Sequence, residues 1–167
     1  MLYDVIMIKH CLLFAAFLLV PLVLVQAGPL FSPTWGFRLD IPEGYELSGG
    51  DGANQFSFSS PFESNLDIII YTGRASAAAV ADELEQRLSN RGRKHVFTYN
   101  GREAALLELR ITQGRNTISG WALCLELEAR DRNNKVFLAA LAFGPDSAEL
   151  QHVHLSVLEF CTVRPKS

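Results

Sequence analysis

The chain has 167 residues, a formal net charge of −3, and a composition that is 49% hydrophobic and 20% charged. A charge that small, with no basic tail, argues against a nucleic-acid partner or an acidic membrane surface. No internal repeat or low-complexity tract divides the chain, so the expectation is one ordinary domain with a real core.

Residues 11–25 form a run with no charged side chain, from Cys11 through Leu12, Phe14 and Pro21 to Val25. That is the size of a signal-peptide apolar region and short of the roughly 20 residues a spanning helix needs. Val25 and Ala27 then stand at −3 and −1 of a cut before Gly28. The reading is a cleaved signal peptide over residues 1–27 followed by one domain over residues 28–167, exported and periplasmic, with no membrane span after cleavage. The alternative is an uncleaved segment that tethers the domain to the inner membrane. Acylation at Cys11 fails on position, because the apolar run follows the cysteine instead of preceding it. Export also leaves Cys124 and Cys161 as an even pair in an oxidising compartment. A disulfide and two free buried thiols both fit that pair.

In chain order, residues 31–34 read as a short leader. Trp35, Phe37, Leu39 and Ile41 alternate with smaller or polar residues, which predicts a half-buried strand. Pro42 and Gly44 end it, and Tyr45 is expected to pack back on it. Residues 48–53 are glycine-rich and read as a flexible tip. Residues 55–59 alternate again. Residues 66–71, nearly all apolar, read as a strand covered on both faces.

The period then changes. Ala77, Val80, Ala81, Leu84 and Leu88 recur at helical spacing, with Ser76 as N-cap and Gly92 as the residue that ends the helix. Asn100-Gly101, between residues 96–99 and 103–107, is a strong hairpin signal because both turn positions accept positive φ. A second hairpin turns at residues 113–116, sending Trp121, Leu123, Leu125 and Leu127 to one face. A polar turn at residues 131–135 leads into the apolar strand 136–143, which reads as central. Asp146 or Ser147 caps a last helix whose apolar stripe is Leu150, Val153, Val157, Leu158 and Cys161, with His154 inside it.

The chemistry-bearing residues form no catalytic motif. A phosphate-binding loop, a dinucleotide fingerprint, a nucleophile elbow, a Cys-x-x-Cys and a His-Glu-x-x-His are all missing from the sequence. His152 and His154 are two apart on a helix and point in different directions, so they do not share an ion. His154 is expected to face the core with one hydrogen-bond partner. Cys124 with His154 could act as nucleophile and base, but a buried thiol is more often inert. Glu126 and Glu128, on one strand face, could pair as acid and base; the simpler reading is a solvated side. Arg87, Arg91, Arg93 and Lys94, followed by His95, are the one local basic cluster. They suit the C-terminal end of a helix, or alternatively a docking patch for an acidic partner or lipid headgroup. Trp35, Phe37, Phe56 and Phe58 read as core aromatics.

The order of elements, with the opening Trp35-Gly36-Phe37-Arg38-Leu39-Asp40-Ile41-Pro42-Glu43-Gly44-Tyr45 and the closing Val157-Leu158-Glu159-Phe160, resembles the PsbP-like fold family. That family includes the photosystem II extrinsic protein and bacterial exported proteins of the DcrB and LpqN kind. The resemblance implies an α+β domain, an antiparallel sheet of about six to seven strands between helical layers. It implies a contact scaffold with no catalytic residue, cofactor or metal to carry over. The expected function is a non-enzymatic interaction or assembly module whose partner is another envelope protein; the alternative is a small-ligand or lipid carrier. Intact mass of the exported protein checks the first inference: a chain beginning at Gly28 is expected, and retention of residues 1–27 would favour the tether.

Overall fold

In the computed structural model, residues 28–60, 63–90, 92–160 and 164–165 are described. Strands β3 (Glu46–Gly50), β4 (Gln55–Ser59), β5 (Asn65–Thr72), β6 (Lys94–Tyr99), β7 (Arg102–Gln113), β8 (Asn116–Asp131) and β9 (Asn134–Pro145) form one antiparallel sheet in the order β3-β4-β5-β9-β8-β7-β6. A second, three-stranded sheet joins β1 (Leu30–Ser32), β2 (Phe37–Leu39) and β10 (Arg164–Pro165). Two helices complete the described residues, α1 (Ala77–Arg87) and α2 (Ala148–Phe160).

Strand β9 lies at the centre because its side chains are apolar in both directions. Val136, Leu138, Ala140 and Ala142 belong to one core, while Phe137, Ala139 and Leu141 belong to the other. On the second face α1 lays Ala77, Val80, Ala81 and Leu84 against Ala105, Leu107 and Leu109 of β7 and Ala122 and Cys124 of β8. Alanine on both sides of this contact lets helix and sheet approach closely. On the first face α2 packs on β8 and β9, contributing Val157 and Leu158. The small sheet shares that face, with Phe37 and Leu39 inserted beside Phe56, Phe58, Leu66 and Ile68. The α+β class therefore holds. The expected helical layer on each side is met in part, since one face is covered by a helix and a small sheet together.

Several local expectations are corrected. Residues 30–32 are not a leader but pair with β2 in antiparallel register, Leu30 opposite Leu39. The strand expected to begin at Trp35 begins at Phe37, because Gly36 takes a positive φ of 66° and turns the chain. Much of the glycine-rich stretch is strand β3, paired to β4 through a register shift at Leu47/Gly49. Only the turn after it is irregular, and there the Asp51 carboxylate accepts the backbone N–H groups of Ala53, Asn54 and Gln55. In α2, Val153 is exposed, so the buried stripe among described side chains runs through His154, Val157 and Leu158. Tyr45 is buried as expected, its hydroxyl 2.7 Å from that of Ser64. Ser76 caps α1 by accepting the Ala79 N–H.

Helix α1 ends before Gly92, with Leu88 as its C-cap and Ser89 at φ 49°. Gly92 has a different duty: a Cβ there would fall 1.7 Å from the Glu108 carbonyl oxygen, so β7 can pass only glycine at this point. Buried Asn90 fixes the same crossing, donating to the Glu108 carbonyl (2.8 Å) and accepting the Arg110 N–H (2.6 Å). Replacing Asn90 by alanine would strand both backbone groups. Asn90→Ala is expected to lower the unfolding free energy by about 2–3 kcal/mol in urea titration.

Candidate functional site

Two places bring polar side chains together. The first is a surface cleft of about 270 Å³ where the turn before β2 (Trp35, Gly36), the tip of the β6–β7 hairpin (Tyr99, Arg102) and the far end of β8 converge. Its charged residues are already matched. Arg102 donates to Glu128 at 2.9 Å, Lys135 pairs with Glu126 at 3.0 Å, and Glu103 accepts the Ala78 N–H at the start of α1. Trp35 donates from its indole nitrogen to Asn54 at 3.1 Å. The two carboxylates considered for acid–base work are thus each tied to a cation. The cleft's walls mix aromatic rings with neutralised ion pairs.

The second place is interior. His154 is fully buried on α2, and neither ring nitrogen has a hydrogen-bond partner among the described residues. The expected single partner is not there. Beneath it on β9 is Gly144, where a Cβ would lie 3.1 Å from His154 Nε2. Directly across the ladder from Gly144 stands Ser119, whose buried hydroxyl is also unsatisfied. Three buried polar atoms without partners therefore gather around one glycine, a composition suited to an ordered water. Sequence reading missed Ser119; the signal was a serine in phase with Trp121 and Leu123 on the inward face of β8.

The Cys124–His154 pairing does not form. Cys124 points to the α1 face and His154 sits on the α2 face, with the sheet between them. Cys124 is a free thiol in the structure, and burial pushes its pKa up to about 12, the opposite of activation. Cys161, its candidate disulfide partner, lies outside the described residues. His152 is exposed.

The basic cluster is partly spent internally. Arg87 donates to the Tyr71 hydroxyl at 3.2 Å, and Lys94 reaches back to Asp82 of α1. Arg93 is exposed and Arg91 lies outside the described residues. From His95 to Tyr99 strand β6 is exposed, with Val96 at 52%, Phe97 at 40% and Tyr99 at 41%. It is the last strand of the sheet. Asp67, in the strand read as nearly all apolar, is half-buried, and desolvation raises its pKa against a smaller opposing hydrogen bond from Ser57.

No group of three or more metal-binding side chains occurs among the described residues, and no helix among them is long and apolar enough to cross a membrane. Residues 1–27, where the signal peptide was expected, lie outside the described residues.

No protein-family model matches the chain, and no curated protein matches it. Solved structures do. One is LpqN of Mycobacterium tuberculosis, described as involved in cell envelope biogenesis, at a TM-score of 0.58 and 13% identity. That match covers 82% of this chain and 90% of LpqN. Another is a Bacteroides thetaiotaomicron protein at a TM-score of 0.53 and 15% identity, covering 86% of this chain and 50% of that one. At these identities the similarity establishes the fold alone.

Burial holds the pKa of His154 below its ordinary 6.5, so the unfolded chain binds this proton more readily than the folded one. Stability is then full above pH 6.5 and falls as pH drops from there toward the folded-state value. His154→Gln is expected to remove up to about 1.4 kcal/mol per pH unit of that slope, read by urea unfolding between pH 7 and 5. An unchanged slope would mean the imidazole is solvated.

Proposed function

We propose that the protein is an exported, non-enzymatic interaction or assembly module of the cell envelope, built on a PsbP-like scaffold, and that another envelope protein is its partner. One observation carries the reading: the β6–β7 hairpin presents Phe97 and Tyr99 to solvent beside the Trp35 cleft, at one edge of a sheet whose central strands are covered on both faces. Aromatic side chains offer large contact area at low entropic cost, which is why they are enriched in protein interfaces. The resemblance to LpqN, a protein described as involved in cell envelope biogenesis, supports the compartment, as does the apolar N-terminal run. Arg93 extends the surface with a positive charge; Arg87 and Lys94, paired inside the molecule, add little to a docking patch.

The absence of turnover is part of the proposal. Its support is that Glu126 and Glu128 are each ion-paired and that Cys124 and His154 face away from one another. The carrier reading has the cleft in its favour, but about 270 Å³ lies just under the lower end of ligand pockets, roughly 300 Å³. Contact is the stronger reading.

A photo-crosslinking amino acid placed at Tyr99 in the exporting cell tests it, with Asn116 at the opposite end of the sheet as control. A discrete crosslinked species from Tyr99 alone is expected. Recovery of only the monomer from both positions would contradict the reading.

A further inference from the structure

Among the described residues no strand pairs with the outer side of β6, and the register says which backbone groups lie there. Its hairpin with β7 closes on a two-residue turn in which Asn100 and Gly101 both have positive φ, 49° and 76°. In such a hairpin the closing pair, Tyr99 and Arg102, exchanges both backbone hydrogen bonds, and bonding then alternates along the ladder. The Glu108 N–H donating to the Arg93 carbonyl at 2.8 Å has the same phase. Arg93, His95, Phe97 and Tyr99 therefore spend their backbone groups on β7. The N–H and C=O of Lys94, Val96 and Thr98 point outward from the sheet. Natural edges of this kind are usually blunted by a proline, a bulge or an outward lysine. Here β6 has no proline and pairs without a register shift, and its one lysine is turned onto Asp82.

We propose that this edge pairs antiparallel with β6 of a second copy of the chain, about a two-fold axis through Val96. The inference rests on the contact reading above and names its occupant. In antiparallel pairing only outward residues can oppose outward residues, which leaves few symmetric registers. Centred on Val96, the strand is its own complement. Val96 meets the partner's Val96 as a hydrogen-bonded pair, and Lys94 meets the partner's Thr98, giving six new backbone hydrogen bonds. On the opposite face Phe97 lies beside the partner's His95, and Tyr99 beside the partner's Arg93, where a guanidinium can rest on the phenol ring. No cation opposes a cation. A parallel arrangement would place Arg93, Lys94 and His95 of both copies side by side and is disfavoured by charge. The result is an isologous, closed dimer with one continuous sheet of twice seven strands.

The test uses the full chain. Opposed residues of a hydrogen-bonded pair have Cα atoms about 5.5 Å apart, within disulfide range, so Val96→Cys is expected to yield a disulfide-linked dimer on mild oxidation. Leu47→Cys, on the opposite edge strand β3 and more exposed still, is expected to give no disulfide-linked dimer, like the parent chain under the same oxidation. Val96→Pro removes an outward N–H without touching the bonds to β7; it should leave the far-UV circular dichroism unchanged while the sedimentation mass falls twofold, from dimer to monomer. If Val96→Cys gives no dimer while the photo-crosslinker at Tyr99 captures a different protein, the second-copy inference is overturned and the contact reading survives. If neither position yields a product, both fall. Equal dimer from Leu47→Cys and Val96→Cys would overturn the pairing at β6.

Discussion

The structure depends on both faces of β9 and its neighbours being apolar. A sheet with two greasy faces needs two covers, and each cover must match what the strands present. The α1 face is shallow, floored by Ala105, Ala122 and Ala139, and it takes a helix that brings alanines of its own. The α2 face is deeper and broader than one helix, and the small sheet fills the remainder with Phe37 and Leu39. The two edge strands, β3 and β6, are left largely exposed.

The polar residues divide along the same lines. Charges neutralise one another across element boundaries, Arg102 with Glu128 tying the hairpin tip to β8 and Lys94 with Asp82 tying the start of β6 to the middle of α1. The exposed ones among them carry little stability individually. The exception is the interior group of His154, Ser119 and Gly144, where a titratable ring is held in an apolar layer with no hydrogen-bond partner among the described residues. Among the described inward side chains of the β8 and β9 positions that face α2, none is charged, so burial alone sets the behaviour of this imidazole. It lies at the joint between α2 and the sheet.

Much of the fold was legible in the sequence because periodicity reports burial. The two-face strand at residues 136–143, the helix capped by Ser76 and the Asn100-Gly101 hairpin each carried a local signal that tertiary contacts then reinforced. Of the N-terminal hairpin, β2 was legible within the alternation from Trp35 to Ile41, while β1 is three residues long, too short for alternation to register, and the turn between them rests on one glycine. Strand β3 was hidden by glycines whose role is close approach, since Gly50 passes 2.2 Å (as a virtual Cβ) from the Gln55 carbonyl oxygen. The candidate site was less legible still. Cys124 and His154 both read as inward, but an inward residue on a strand has two possible faces, and only the order of strands and helices decides between them. The open edge at β6 likewise follows from strand order, which no local pattern encodes.

That edge is the part of the molecule its packing leaves over, and its backbone reports on its own state. Amide hydrogen exchange of the full chain, measured residue by residue across a dilution series, probes it most directly. When dilute, His95, Phe97 and Tyr99 should be protected while Lys94, Val96 and Thr98 exchange freely; as concentration rises, the second set should become protected too. Protection of Val96 that persists at the lowest concentration would mean the chain covers its own edge, and exchange that stays fast at every concentration would mean no copy ever docks there.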